Sequence, residues 1–364
     1  MKFDIAVLPG DGVGPEVVTE TVKVLEGLSR LYGHEFELHY GPVGGASIDE
    51  SGEALTRDTL KMCRRCDAVL LGAVGGPKWD DPLARVRPED GLLALRKELR
   101  LFANLRPVKV HPVLVDSTTL KPEVIRGVDL MVVRELTGGL YFGRPKKRWQ
   151  TATGRRAVDS MLYAEHEIER ILRVGFEVAV KRRKKLVSVD KANVLESSRL
   201  WRQIAIELSP QYPEVELEHM LVDACSMRLI QRPTYFDVMV TENTFGDILT
   251  DEASMLAGSM GMLPSASLAA VPEVGVRAFG MYEPIHGSAP RRAGQDLANP
   301  IATTLSSAMM LRHSFGLEAE AACVEKAIES VLEAGYRTYD IMDEGGIRVG
   351  TKEMGSLIVK HLKA

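Results

Sequence analysis

Strand-like blocks of apolar residues recur along this chain, and between many of them apolar positions return every three or four residues. The blocks at 5–8, 36–40, 68–71, 108–110, 130–133, 186–189 and 236–240 predict seven strands. Helical spacing appears at Val18, Val22, Leu25 and Leu28, and again at Ile168, Ile171, Leu172, Gly175, Val178 and Ala179. The alternation predicts an α/β fold with a largely parallel sheet covered by helices. The last hundred residues, with apolar runs at 302–311 and 319–332, are expected to be mostly helical. No repeat, low-complexity tract or linker interrupts the pattern, so two domains would have to be joined within the sheet or by several crossings.

Composition narrows the class. A chain of 364 residues that is 45% hydrophobic buries a large core and is long enough for two domains. A net charge of −4 gives no reason to expect a nucleic-acid or anionic-membrane partner. The basic run at 181–185, KRRKK, follows an amphipathic stretch and reads as a solvated helix end. Four cysteines do not make a disulfide framework and suggest a reducing compartment, and Cys63-x-x-Cys66 lacks the second pair a zinc site needs. With no signal-like N-terminus and no apolar span long enough for a bilayer, a cytoplasmic location is expected.

The candidate chemistry is acidic and basic in turn. Asp247 and Asp251 stand four apart in FGDILTDE, so a helix there would point both carboxylates into one space. A hard divalent cation, Mg²⁺ or Mn²⁺, would relieve their repulsion; an acidic helix start is the plainer alternative. Asp223, ending an apolar run, supplies a third oxygen ligand. Arg96, Arg106 and Arg134 together would fit a dianionic substrate, since a guanidinium fork matches a carboxylate. Tyr141 lies among glycines, where neighbouring cations would ease transfer of its hydroxyl proton. Lys191 follows a strand in an apolar context that favours acid/base work, with an ion pair to Asp190 or a glutamate as the competing explanation. Gly10, Gly12 and Gly14 do not form G-x-G-x-x-G; either a close ligand or a tight turn would account for them.

LPGDGVGPE, GAVGGPKW, NLRP, RELTGGLYFG, DKANVL, FGDILTDE, GSMGMLPSAS and EPIHGSAP run nearly end to end. On these motifs the chain resembles the 3-isopropylmalate dehydrogenases, within the metal-dependent β-decarboxylating dehydrogenases that also act on isocitrate, homoisocitrate and tartrate. The resemblance implies an isocitrate/isopropylmalate dehydrogenase-like α/β fold, not a Rossmann fold, with two domains sharing a large mixed sheet. Residues 1–101 and 258–364 would form the large domain, and 102–257 the small one. It implies metal held by Asp223, Asp247 and Asp251, substrate carboxylates held by Arg96, Arg106 and Arg134, and Tyr141 with Lys191 as the acid/base pair. A homodimer with a shared site is implied, Lys191 and Asp223 coming from the neighbour, Asp223 touching substrate as well as metal. Leu92, Leu93 and Val194 would wall an isopropyl group, where isocitrate enzymes carry polar residues. For NAD it implies Gly76, Glu89, Asn193, Glu283, His286, Gly287, Ser288, Ala289, Pro290 and Asn299. Arg291 and Arg292 replace the acidic and aliphatic pair usual after SAP, which makes NADP a candidate beside NAD. Intact catalytic residues weigh against a non-catalytic binding paralogue, and the arginine and lysine set against a metal-dependent phosphatase.

Overall fold

The computed structural model describes residues 1–271 and 277–364. Among the described residues fourteen strands fall in chain order as β1 (Lys2–Gly10), β2 (Glu35–Tyr40), β3 (Ala68–Ala73), β4 (Ala103–Lys109), β5 (Asp129–Glu135), β6 (Lys147–Thr151), β7 (Gly154–Val158), β8 (Lys185–Asp190), β9 (Glu216–Leu221), β10 (Val238–Thr241), β11 (Pro264–Leu268), β12 (Gly280–Pro284) and the short pair β13 (Tyr336–Arg337) and β14 (Ile347–Arg348). Ten make one sheet, ordered β2-β1-β3-β12-β11-β4-β5-β10-β8-β9, while β6 and β7 pair as a separate hairpin. All seven predicted blocks fall on strands of the large sheet.

The sheet is not largely parallel at its centre. From β2 to β12 the neighbours are parallel, and so are they from β5 to β9. Between the two blocks, β12 to β11, β11 to β4 and β4 to β5 are antiparallel, so the blocks run in opposite directions. The C-terminal region is mostly helical as expected, with helices at Ile301–Met310, Glu318–Glu333 and Thr351–His361, but it also supplies β11 and β12, which occupy the middle of the sheet. Their sequences, PSASL and GMYEP, carry no aliphatic block that would reveal a buried strand. Ser265 and Ser267 are fully buried and accept from the Asn104 amide, each at 3.1 Å, so the strand is held by polar pairing as well as packing.

Helices cover both blocks. Gly14–Tyr32 begins with Pro15 in its first turn and stops at Gly33, whose left-handed φ of 70° lets its N–H reach Ser29. It packs against Ile301–Met310 and Thr351–His361, while Glu165–Val180 lies against β5 and β10. The basic run beyond Val180 is more than a solvated end: Arg182 donates to Asp129 and Asp237, both at 2.8 Å, and ties the starts of two strands. All four cysteines are free and buried.

Candidate functional site

Asn104, Arg106 and Arg134 share one face at the centre of the sheet, since Asn104 and Arg106 alternate along β4 and Arg134 of β5 is paired with Asn104. Arg106 is buried and donates to Asn104 Oδ1 and Thr250 Oγ1, both at 2.6 Å. Arg134 is 1% exposed and donates to Asn243 Oδ1 through Nε at 3.2 Å and Nη2 at 2.8 Å, and to Asp247. Arg96 arrives from the Pro88–Glu98 helix, bonded to Glu283 at 3.1 Å, and its buried Nε has no partner. Burial lowers the pKa of Arg106, and the guanidiniums of Arg134 and Arg96 lower it further. Three close cations and an unspent donor describe a place for an anion. The anchors Asn104, Thr250 and Asn243 escaped the sequence reading; the N-x-R spacing on a strand, which puts Asn104 and Arg106 on one face, was the available signal.

Asp247 and Asp251 lie on the Asn243–Ser254 helix, one and two turns in, so they are not an acidic helix start. That role falls to Glu242, which accepts from Thr244 N–H at 2.9 Å and Phe245 N–H at 2.6 Å. Asp247 accepts from Tyr141 Oη at 2.7 Å and from Arg134. Burial pushes its pKa up, but Arg134, Tyr141 and Arg106 together bring it below the ordinary value. Asp251, 4.0 Å from Arg106, has its carboxyl raised by burial. The Tyr141 hydroxyl departs from expectation. Burial, followed by its bond to Asp247, pushes it up to about 12, outweighing Arg134.

Lys191 is not enclosed by apolar groups. It is partly exposed and pairs with Asp223 at 2.5 Å, whereas Asp190 is taken by Arg202, two bonds of 2.8 Å each. Asn193 and Val194 are exposed just beyond it. Asp223 does not join Asp247 and Asp251 within one chain. Among the described residues, the one set of three or more potential ligands within 4.8 Å is Asp4, Glu37 and His39 on β1 and β2, with Glu37 exposed and the other two half-buried.

A second cluster forms where the parallel block β2-β1-β3-β12 ends. Gly12 has φ 59°, and a Cβ there would lie 2.0 Å from the Ser288 carbonyl, which accepts from Val13 N–H at 2.8 Å. The tight-turn reading of the glycines therefore holds. Asp11 accepts from the amides of Gly45, Ala46 and Gly75, fixing three segments around the turn. Glu89 faces Gly75, and Gly76 follows in extended form. Gly287, Ser288, Ala289 and Pro290 pass over the turn, Ala289 with φ 38°. His286 is half-buried, and its Nε2 is buried without a partner. Arg291 and Arg292 are exposed, Arg292 4.6 Å above the Tyr339 ring. Asn299 is committed elsewhere, donating to Asp340 at 3.1 Å and accepting from Ile301 N–H at 3.0 Å. Glu283 serves as the partner of Arg96. Leu92 and Leu93, half-buried, stand one helical turn before Arg96.

Comparison with known proteins decides the family. Residues 4–358 match the family model described as isocitrate/isopropylmalate dehydrogenase. The chain belongs to that family. Members are dehydrogenases that depend on NAD and a divalent metal, and the chain is an oxidoreductase of this kind. It is 64% identical to a 3-isopropylmalate dehydrogenase of Dehalococcoides mccartyi, over 99% of both chains. It is 55% identical to one of Aquifex aeolicus, over 100% of this chain and 98% of that one. A solved isocitrate dehydrogenase from Methylococcus capsulatus superposes with a TM-score of 0.86 at 32% identity, covering both chains completely. A β-decarboxylating dehydrogenase from Thermococcus kodakarensis gives 0.77 at 34%, over 99% of this chain and 96% of its own. The isocitrate/isopropylmalate dehydrogenase fold expected from the motifs, with its mixed sheet, is the fold found.

Proposed function

We propose that this enzyme oxidises and decarboxylates 3-isopropylmalate to 4-methyl-2-oxopentanoate and CO₂, reducing a nicotinamide nucleotide, in leucine biosynthesis. The observation that carries this reading is the buried arginine cluster, where Arg96 keeps an unpaired Nε one helical turn from Leu92 and Leu93. Carboxylates would sit on the arginines and a branched alkyl group on the leucines. A third carboxylate, as on isocitrate, would meet leucine and lose its hydration without a partner.

The residues fit both absent groups. Asp247 and Asp251 offer hard oxygens on one helix face, and Asp223 of a partner subunit would complete the set for Mg²⁺ or Mn²⁺. The Gly12 turn and the unspent His286 Nε2 fit a nucleotide at the carboxyl ends of the parallel strands. When bound, the metal supplies positive charge beside the C2 oxygen and the NAD a hydride acceptor. Arg96, Arg106 and Arg134 orient the substrate. Lys191 takes the C2 hydroxyl proton, and Asp223, its hydrogen-bond partner at 2.5 Å, would be among the residues that hold the metal. Tyr141, whose high pKa keeps it protonated at neutral pH, returns a proton to the enol carbon.

The active unit is a homodimer. Exposed Met227, Ile230, Ile248 and Met255 lie on or beside two adjoining helices, and Val194 is exposed next to Lys191. That apolar surface suits a second copy, which would bring its Lys191, Asp223 and Val194 to the first chain's arginines. The halves 1–101 with 258–364, and 102–257, act as the two lobes, meeting where β11 pairs with β4. The free thiols fit the cytoplasm. NAD is the cofactor, and NADP is accepted too because the exposed Arg291 offers a guanidinium to a 2′-phosphate. Reduced-nicotinamide absorbance with 3-isopropylmalate and Mg²⁺, run in parallel with NAD and NADP, tests both claims. Metal-dependent reduction with isopropylmalate but not isocitrate is expected; the reverse preference would overturn the substrate assignment, and no NADP reduction the second claim.

A further inference from the structure

Tyr163, on no element of the site, has a buried hydroxyl with an unusual set of neighbours. Its oxygen accepts from Asn243 N–H at 2.9 Å, lies 3.2 Å from Glu242 Oε2 and 3.4 Å from Glu135 Oε2. Each carboxylate anchors a different functional segment. Glu242 caps the helix that carries Asp247 and Asp251. Glu135 accepts from the amides of Thr137 and Gly138, both at 2.8 Å, and so fixes the start of the loop that carries Tyr141. The ring fills the space above Gly138, where a Cβ would come within 2.5 Å of it, and packs edge-on to Trp201 at 6.0 Å.

We propose that Tyr163 is a positioning residue for the reaction: its hydroxyl joins the cap of the aspartate-bearing helix to the anchor of the Tyr141 loop, and thereby sets how Tyr141 meets Asp247. The inference deepens the function proposed above and rests on it for the role of Tyr141. Asn243 reinforces the link, since its amide group donates to Gly138 O at 3.2 Å while its Oδ1 receives Arg134. Two buried carboxylates facing one another would drive helix and loop apart; one hydroxyl between them supplies a donor and keeps them together. Burial pushes both carboxyls above their usual range, and at Glu242 the Tyr163 hydroxyl acts against that rise by donating to the carboxylate. The arginines spring from β4, β5 and the Pro88–Glu98 helix, so their main-chain anchors stay when the Tyr141 loop shifts, even though Arg134 and Arg106 also reach Asn243, Asp247 and Thr250 of the capped helix. Loss of the bridge should therefore fall on proton transfer more than on substrate binding.

The test is Tyr163→Phe in the intact dimer, which keeps the ring and removes only the bridge. Amide hydrogen exchange gives a readout that needs no turnover. The amides of Thr137, Gly138, Thr244 and Phe245 should exchange about tenfold faster or more, with the Thr351–His361 helix unchanged. With 3-isopropylmalate, NAD and Mg²⁺, kcat should fall about tenfold and KM stay within about twofold. Unchanged exchange at either segment, or faster exchange confined to Asn243, would overturn the proposal, as would an unaltered kcat. Should the variant not fold, Glu135→Gln tests one arm alone: Thr137 and Gly138 should loosen and kcat fall, while Thr244 and Phe245 stay protected. An inactive wild-type protein would refute the substrate reading, and the exchange pattern would still decide the bridge.

Discussion

Tyr141 and His313 illustrate how burial sets the charge of single residues in this protein. Both depart from ordinary values first because their surroundings exclude water. For Tyr141 the consequence is catalytic: a hydroxyl that stays protonated is an acid, and Tyr141→Phe should lower kcat by about 10²- to 10⁴-fold with little change in KM, as steady-state kinetics would reveal. For His313 it concerns stability. Burial, with Arg312 and Lys181 near, lowers its pKa from 6.5 to about 4. A pKa depressed on folding gives stability that is complete above the unfolded value and lost as pH falls toward the folded one. Between pH 6.5 and 4 the wild type should therefore lose stability that His313→Gln keeps, and thermal unfolding of the two across that range measures the difference. The slope they share belongs to other groups, His286 among them. Arg106 and Arg134, which the structure brings together in the buried cluster, were readable from sequence because charge at the end of an apolar strand stands out. Asn104, Asn243, Glu135 and Tyr163 were not, since their partners are remote in sequence and only folding brings them together.

Among elements, the strands rich in Val, Ile and Leu were visible, and β11 and β12 were hidden by small and polar residues whose hydrogen bonds replace the usual aliphatic signal. At the Asn243–Ser254 helix the sequence offered a conditional reading, that a helix there would place Asp247 and Asp251 on one face, and the helix is found. The glycine turn was legible as a turn, but not as the seat of the loop after β12. That seating gives a sharp expectation. Gly12→Ala combines a positive φ with a Cβ 2.0 Å from the Ser288 carbonyl, so the loop 286–292 must move. NAD binding should weaken about tenfold or more while isopropylmalate and metal binding is kept, a split that titration calorimetry would detect. Equal loss of both ligands would mean that the turn supports the fold at large.

For the whole molecule, the proposed division of the site between two subunits is the property to probe. Lys191→Met and Asp247→Asn should each abolish turnover as homodimers. Co-refolded mixtures should regain about a quarter of wild-type activity, because half the dimers are mixed and each has one intact site. No recovery, with mixed dimers demonstrated by differential tagging, would put Lys191 and Asp247 to work in one chain. The proposed dimer was suggested in the sequence only through resemblance, since exposed Ile248 and Met227 are ordinary apolar residues in a helical pattern until their exposure is known. The reversal at the middle of the sheet bears on how the chain is made. β3 and β4 leave the ribosome early, yet β11 and β12, which cover their open edges, are complete only at residues 268 and 284. A nascent chain must therefore carry two unpaired strand edges through most of its synthesis, exposed to wrong partners, and the sheet closes only near the end of translation.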